Sequence, residues 1–296
     1  MTDPLRQDPF APRTVGAALD DAIGVYRRHF KALALAAVCT VFPVALIIGL
    51  AQDVYYRGYF EVIFSDLSMT AGAPDPGIGI FIAYAVIMAA SGLLLFVRAY
   101  FDASVLAAAP GLITGARPRF TEILKGGLKR WGWYLLAQLL VSILTSAAAF
   151  ASFFVLGVGG LVASVFVTFT GVVTVVEQTD PVSALSRSFA LVRGSFWRVA
   201  GYLVLMFGLS TAFQGAIASP AALGQLVPAL GASDPLTALL DVPVWWRVVE
   251  GLSFGAASAL TAPFTALALF HLYIDLRARK EGMDLVVRAR ELARAA

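Results

Sequence analysis

Residues 180–198 read DPVSALSRSFALVRGSFWR, a short segment between two long apolar runs. Asp180 is a favourable helix N-cap residue, and Pro181 suits the first helical position. Apolar residues then recur at steps of three and four, which predicts one apolar helix face formed by Val182, Leu185, Phe189, Val192 and Phe196. Three bases lie off that face, namely Arg187, Arg193 and Arg198. We expect a helix lying flat on a membrane surface, because the flanking runs disfavour a surface helix on a soluble core.

The composition of the chain supports a membrane location. Of its 296 residues, 59% are hydrophobic and only 14% are charged, whereas soluble domains carry roughly 25% charged residues. The single cysteine, Cys39, cannot form an intramolecular disulfide. With only two histidines, His29 and His271, the sequence indicates neither a metal site nor a cofactor.

Six apolar runs are long enough to cross a hydrocarbon layer of about 30 Å. They cover about 32–51, 77–104, 131–156, 158–176, 199–218 and 248–273. Residues 1–13 are expected to be a disordered cytosolic tail, 14–276 the six-span membrane domain, and 277–296 a cytosolic helical tail. Residues 52–76 and 219–244 are expected to be loops.

The basic residues are distributed unevenly about these spans. If both tails and the segments 98–130 and 177–198 share one side, that side holds all but two of the 22 lysines and arginines. The exceptions are Arg57 and Arg247. The positive-inside rule then predicts that both termini are cytosolic and that the protein is a multi-pass protein of the plasma membrane.

An apolar stripe recurs three times along the chain. Its copies are Leu19, Ile23, Tyr26 and Phe30; Leu124, Leu128, Trp131 and Leu135; and Leu185, Phe189, Val192 and Phe196. Each copy precedes two spans. The expected fold is therefore an all-α integral membrane protein with six transmembrane helices in three hairpins, each preceded by a cytosolic amphipathic interfacial helix. Alternatively, the stripes reflect amphipathic helices without common ancestry.

Five ionisable residues near span ends are candidate polar or ligand-binding residues. Arg98 and Asp102 share a helix face, where they form either a head-group or ion site or an intrahelical salt bridge. Glu177 either pairs with Arg187, Arg193 or a base in the C-terminal tail as a structural contact, or takes part in a proton relay. His271 and Asp275 are four residues apart and either titrate together near neutral pH or include an ordinary interfacial histidine.

The basic residues beside span entrances are candidate contacts for anionic lipid head groups, each worth about 1 kcal/mol. They are Arg27, Arg28, Lys31, Lys129, Arg130, Arg193 and Arg198. The same residues satisfy the positive-inside rule without a specific ligand. Their spread over separate segments disfavours nucleic-acid binding. No phosphate-binding glycine loop, H-E-x-x-H or G-x-S-x-G motif occurs, so no catalytic residues are predicted.

Three stretches together resemble a known family. They are DPVSALSRSFALVRGSFWRV at 180–199, VGAALDDAIGVYRRHFKAL at 15–33 and APFTALALFHLYIDLRARKEGMDL at 262–285. This set is similar to the bacterial multi-span family known as the glycerophosphoryl diester phosphodiesterase membrane domain, over nearly the whole chain. The resemblance implies a multi-span membrane protein, and the family name derives from fusions in which such a region precedes a phosphodiesterase barrel. No βα region is present here, so that activity is not expected.

Three classes of function fit these observations. The first is a non-enzymatic scaffold or accessory subunit in envelope or lipid processes, with membrane lipids and an unidentified protein as partners. It agrees with the few ionisable residues inside the spans. The second is a transporter or channel for a small solute or lipid, which needs a polar midplane cavity. The third is an intramembrane enzyme, which needs several convergent polar groups.

Overall fold

The computed structural model describes residues 13–67, 77–153, 158–231 and 243–282. Within these ranges the chain forms ten α-helices and contains no strand. They are α1 (Val15–Arg28), α2 (Phe30–Leu67), α3 (Gly77–Ile113), α4 (Phe120–Gly127), α5 (Trp131–Ala151), α6 (Val158–Val167), α7 (Thr170–Val176), α8 (Pro181–Val192), α9 (Phe196–Leu230) and α10 (Val244–Glu281).

Six helical stretches are long and apolar enough to cross a membrane, as expected of a multi-pass membrane protein. They are Phe30–Gln52, Ile80–Ile113, Trp131–Ala151, Val158–Val176, Phe196–Ala221 and Trp245–Glu281. The expectation of an all-helical chain with six candidate spans is confirmed.

Several helices run beyond the expected spans. The expected loop 52–76 continues as helix to Leu67, because no proline interrupts residues 52–67. The expected loop 219–244 is likewise helical as far as Leu230. The expectations for residues 1–12 and 283–296 lie outside the described part of the chain.

The chain divides into two compact units. The first comprises residues 1–36, 99–209 and 263–296. In this unit α5 packs against α6, α7 and α8, and α8 also contacts α6 and α7. The largest fully buried side chains of the unit are aromatic, namely Phe101, Phe169, Tyr202, Phe270 and Tyr273.

The second unit comprises residues 37–98 and 210–262. Here α2 and α10 approach closely through glycines. A Cβ on Gly49 would lie 3.1 Å from Cα of Gly251, and one on Gly255 would lie 3.0 Å from the Phe42 ring. Small residues at such spacing let two membrane helices pack backbone against backbone.

The fourth candidate span is interrupted between α6 and α7. The Phe169 N–H donates to Oγ of Ser188 over 3.1 Å, and that hydroxyl donates to the Phe166 carbonyl over 2.7 Å. Phe166 and Phe189 also stack, with ring centroids 5.2 Å apart. Ser188 of α8 thus binds backbone groups at the interruption, as buried polar groups require.

The three short helices α1, α4 and α8 bury equivalent positions. Each helix buries a pair of residues four apart: Ala18 and Ala22 in α1, Ile123 and Gly127 in α4, and Ala184 and Ser188 in α8. Each pair lies one residue before the first two members of the apolar stripe in its helix. Small residues at most of these positions allow close helix approach, and bulkier residues such as Tyr26 and Val192 are buried beside them. Leu128 and Phe189 of the predicted stripes are instead 58% and 43% exposed.

Candidate functional site

The last two turns of α10 take part in most of the ion pairs described for the first unit. Residues four apart share a helix face. One face therefore presents Tyr273, Arg277 and Glu281, and an adjacent face presents Asp275 and Arg279. We call these five residues, together with Lys280 of α10 and their partners Glu177, Arg187 and Arg198, the polar hub.

Asp275 is the buried centre of one half of the hub, with a side chain only 1% exposed. Its carboxylate accepts from Nε of Arg198 at 3.0 Å and from Nε of Arg279 at 3.1 Å. It also accepts the backbone N–H of Arg13 at 2.7 Å. A buried carboxylate is tolerated only when paired and hydrogen-bonded, so these contacts offset its desolvation.

Glu177 joins α7 to α8 and α10 in the other half of the hub. It accepts from the Tyr273 hydroxyl at 2.6 Å and from Nε of Arg187 at 3.3 Å. Arg277 donates to the Tyr273 hydroxyl at 3.1 Å and pairs with Glu281 at 2.9 Å. Arg187 also pairs with Glu281. The alternating charges compensate one another across three helices.

Lys280 completes the contact between α10 and α8. Its ammonium donates to the Ala190 carbonyl at 3.0 Å and also to the Arg193 carbonyl. A cation at the last carbonyls of a helix satisfies free acceptors and opposes the helix dipole. The C-terminus of α8 is therefore held by α10.

The candidate polar residues make different contacts in the described part of the chain. Glu177 and Asp275 both belong to the hub, and Glu177 contacts Arg187 as the sequence suggested. His271 instead shares a 2.8 Å hydrogen bond between Nδ1 and the Leu267 carbonyl. Arg98 lies in the second unit and donates to the Ala262 carbonyl at 3.4 Å. Asp102 lies in the first unit, on α3.

The candidate lipid contacts separate into two groups. Five are exposed and pair with no carboxylate in the described ranges: Arg27, Arg28, Lys31, Lys129 and Arg193. We call these five the outer bases. Arg130 is half-buried and contacts Gln178 at 3.5 Å. Arg198 differs from the outer bases, because its guanidinium pairs with buried Asp275.

Two ionisable groups beside the short helices have shifted pKa values. Burial is the main cause that lowers the pKa of His29, and the neighbouring Arg28 guanidinium lowers it further. The backbone N–H of Ser183 lowers the pKa of Asp180, whose Oδ2 accepts that N–H at 2.9 Å. Asp180 therefore acts as the expected N-cap of α8.

Sequence reasoning missed several hub residues. The i and i+4 spacing in the final turns of a predicted helix could have indicated two of these contacts, Tyr273 with Arg277 and Asp275 with Arg279. Arg13 contributes backbone groups, which leave no trace in the sequence.

The arrangement offers no metal-binding set: the described residues contain no group of three His, Cys, Asp or Glu side chains that could hold a metal ion. The charged side chains of the hub neutralise one another.

No curated protein and no solved structure matches the chain. A family model does match residues 31–273, most of the sequence. The chain therefore belongs to the family described as a domain of unknown function, DUF7847.

Proposed function

We propose that this protein is a non-enzymatic membrane scaffold or accessory subunit in envelope or lipid processes, and that its outer bases bind anionic lipid head groups. The observation that carries the proposal is the division of the basic residues. The hub arginines neutralise Glu177, Asp275 and Glu281, whereas the outer bases have no described carboxylate partner.

The hub itself favours structure over catalysis. An acid or base catalyst needs a group that is free to exchange a proton with a substrate. Asp275 instead accepts from two arginines and a backbone amide, and Glu177 accepts from a tyrosine and an arginine. These contacts hold α7, α8, α9 and α10 together.

The exposed bases suit a lipid surface. Arg27, Arg28 and Lys31 flank the start of the first candidate span, and Lys129 precedes the third. Beside them are partly exposed apolar side chains such as Phe30, which is 43% exposed. Bases next to exposed apolar residues match the boundary between head groups and acyl chains.

The same proposal includes a topology. The short helices α1, α4 and α8 lie at the cytosolic interface, each followed by a two-span hairpin, and both termini are cytosolic. Support comes from the equivalent buried positions of the three helices and from the distribution of bases. The family resemblance stated from the sequence supports a bacterial plasma membrane.

A transporter or channel is the second candidate, favoured by the interruption between α6 and α7. Transporters often use discontinuous helices at binding sites. Against this, the polar groups at the break are bound within the protein. Ser188 binds backbone groups on both sides of the break, and Thr170 and Thr174 donate to carbonyls of the same candidate span at 2.7 and 2.8 Å.

Purification from native membranes, followed by mass spectrometry of bound lipids and proteins, tests the proposal. We expect anionic lipids to be retained above their abundance in the membrane, together with at least one protein present in stoichiometric amount. Recovery of neutral lipid in bulk proportion and no protein would contradict a scaffold. Substrate-dependent flux in proteoliposomes would favour the transporter instead.

A further inference from the structure

Arg13 contacts α9 and α10 through its backbone. It lies immediately before Thr14, the N-cap of α1. Its N–H donates to Oδ1 of Asp275 at 2.7 Å. Its carbonyl accepts from Nη2 of Arg279 at 2.6 Å and also from Nη2 of Arg198. Both backbone polar groups of one residue are thus bound by charged side chains.

Asp275 organises these contacts. The same carboxylate that accepts the Arg13 N–H also binds Arg198 and Arg279, so it aims both guanidinium groups at the Arg13 carbonyl. Its side chain is 1% exposed, which excludes water as a competing donor. Hydrogen bonds to charged groups are the stronger kind, and burial strengthens them.

The side chain of Arg13 forms an ion pair with α1. Its guanidinium pairs with Asp21 at 2.9 Å, and Asp21 belongs to α1 itself. This ion pair links residue 13 to its own helix. The contacts to α9 and α10 described above depend only on backbone groups, which any residue other than proline supplies at position 13.

We infer that Arg198, Asp275 and Arg279 form a clamp for the peptide backbone, which latches residue 13, just before α1, onto α9 and α10. The clamp binds backbone atoms and does not depend on which side chain stands at position 13. Opening it frees the N-terminal end of α1, the helix that carries the outer bases Arg27 and Arg28. This inference concerns the conformation of α1 and goes beyond the proposed lipid binding, on which it does not depend.

Amide hydrogen exchange of the purified full chain in detergent micelles tests the latch. We compare the wild type with Asp275→Asn, Arg279→Gln and the matched control Arg13→Ala. In Asp275→Asn the amides of Arg13 and the first turn of α1 should exchange about tenfold faster or more, because a charge-assisted contact is lost. Arg279→Gln should accelerate the same amides to a smaller extent.

Arg13→Ala decides between backbone and side-chain latching. After correction for intrinsic rates, its exchange in this region should stay within about twofold of the wild type, since the clamp contacts remain. Equal acceleration in Arg13→Ala, or no acceleration in the two clamp variants, would overturn the inference. If Asp275→Asn does not fold, Arg279→Gln decides, because Arg279 is 39% exposed and its replacement buries no new group.

Discussion

Arg198 and Asp275 join the start of α9 to the end of α10, with Nε and Nη2 of the arginine at 3.0 and 2.9 Å from the same carboxylate oxygen. The arginine is 26% exposed and the aspartate 1%. A base that the positive-inside pattern places at the lipid surface thus neutralises a buried acid. The charge pattern of a membrane protein fixes the side on which a base lies, but not its partner.

Replacing Arg198 should therefore cost stability. Arg198→Gln leaves the buried carboxylate with one guanidinium fewer, and we expect a loss of about 2–3 kcal/mol in free energy of unfolding. Thermal and denaturant unfolding in detergent measure it. The matched control is Arg193→Gln, an exposed outer base, which should change stability by less than about 0.5 kcal/mol. Equal effects of the two variants would contradict the assignment of Arg198 to the hub.

Glu177 and Tyr273 should be energetically coupled. Each of Glu177→Gln and Tyr273→Phe removes part of the 2.6 Å hydrogen bond, and the double variant should cost less than the sum of the two. A double-mutant cycle on unfolding should give a coupling energy of about 1 kcal/mol. Additive effects would show that the contact does not stabilise the fold.

Gly127 should not tolerate a methyl group. A Cβ there would lie 2.9 Å from Cα of Ser104, a backbone atom that cannot rotate away. Gly127→Ala should destabilise the protein by about 1–3 kcal/mol through overpacking. Gly132→Ala is the control, because nothing lies within 4 Å of its Cβ position. It should be neutral or stabilise by up to about 1 kcal/mol.

His29 should make stability depend on pH. Its pKa in the folded protein is lowered from 6.5, mainly by burial and then by Arg28. The unfolded chain therefore binds the proton more readily, so the His29 contribution is full above pH 6.5 and is lost as pH falls below that value. Unfolding of the wild type and His29→Gln between pH 5 and 8 checks this.

The difference between those two proteins isolates His29 from every other titrating group. The free energy of unfolding of the wild type, relative to that of His29→Gln, should decrease as the pH falls. Proton NMR of the imidazoles gives a direct reading, because the chain has only two histidines. A folded-state midpoint at or above 6.5 for His29 would refute the assignment.

The helical fold was largely predictable because hydropathy and helical periodicity are local properties. The N-cap at Asp180 and the six apolar stretches follow from them. The buried faces of the short helices were predictable only in part, since the predicted stripe residues Tyr26 and Val192 are buried. Periodicity selects the bulkiest apolar residues, such as Phe189, whereas packing selects small ones such as Ser188 and Gly127.

The hub was predictable only in part. Glu177 and Asp275 stood out as acids near span ends, and their basic neighbours suggested ion pairs. Which base meets which acid depends on how α7, α8, α9 and α10 pack, which is tertiary information. The Arg13 contacts are made by backbone atoms, so no residue pattern encodes them.

The most direct test of the division between outer and hub bases measures anionic lipid binding and stability in the same samples. The outer variant is Arg27→Gln, Arg28→Gln and Lys31→Gln combined, and the hub variant is Arg187→Gln. Titration with fluorescent phosphatidylglycerol in neutral detergent gives the affinity, and thermal unfolding gives the stability. The outer variant should bind about a hundredfold more weakly, at about 1 kcal/mol per base, with an unchanged Tm. Arg187→Gln should bind normally and unfold at a lower temperature; lipid affinity retained by the outer variant, or lost by Arg187→Gln, would contradict the account.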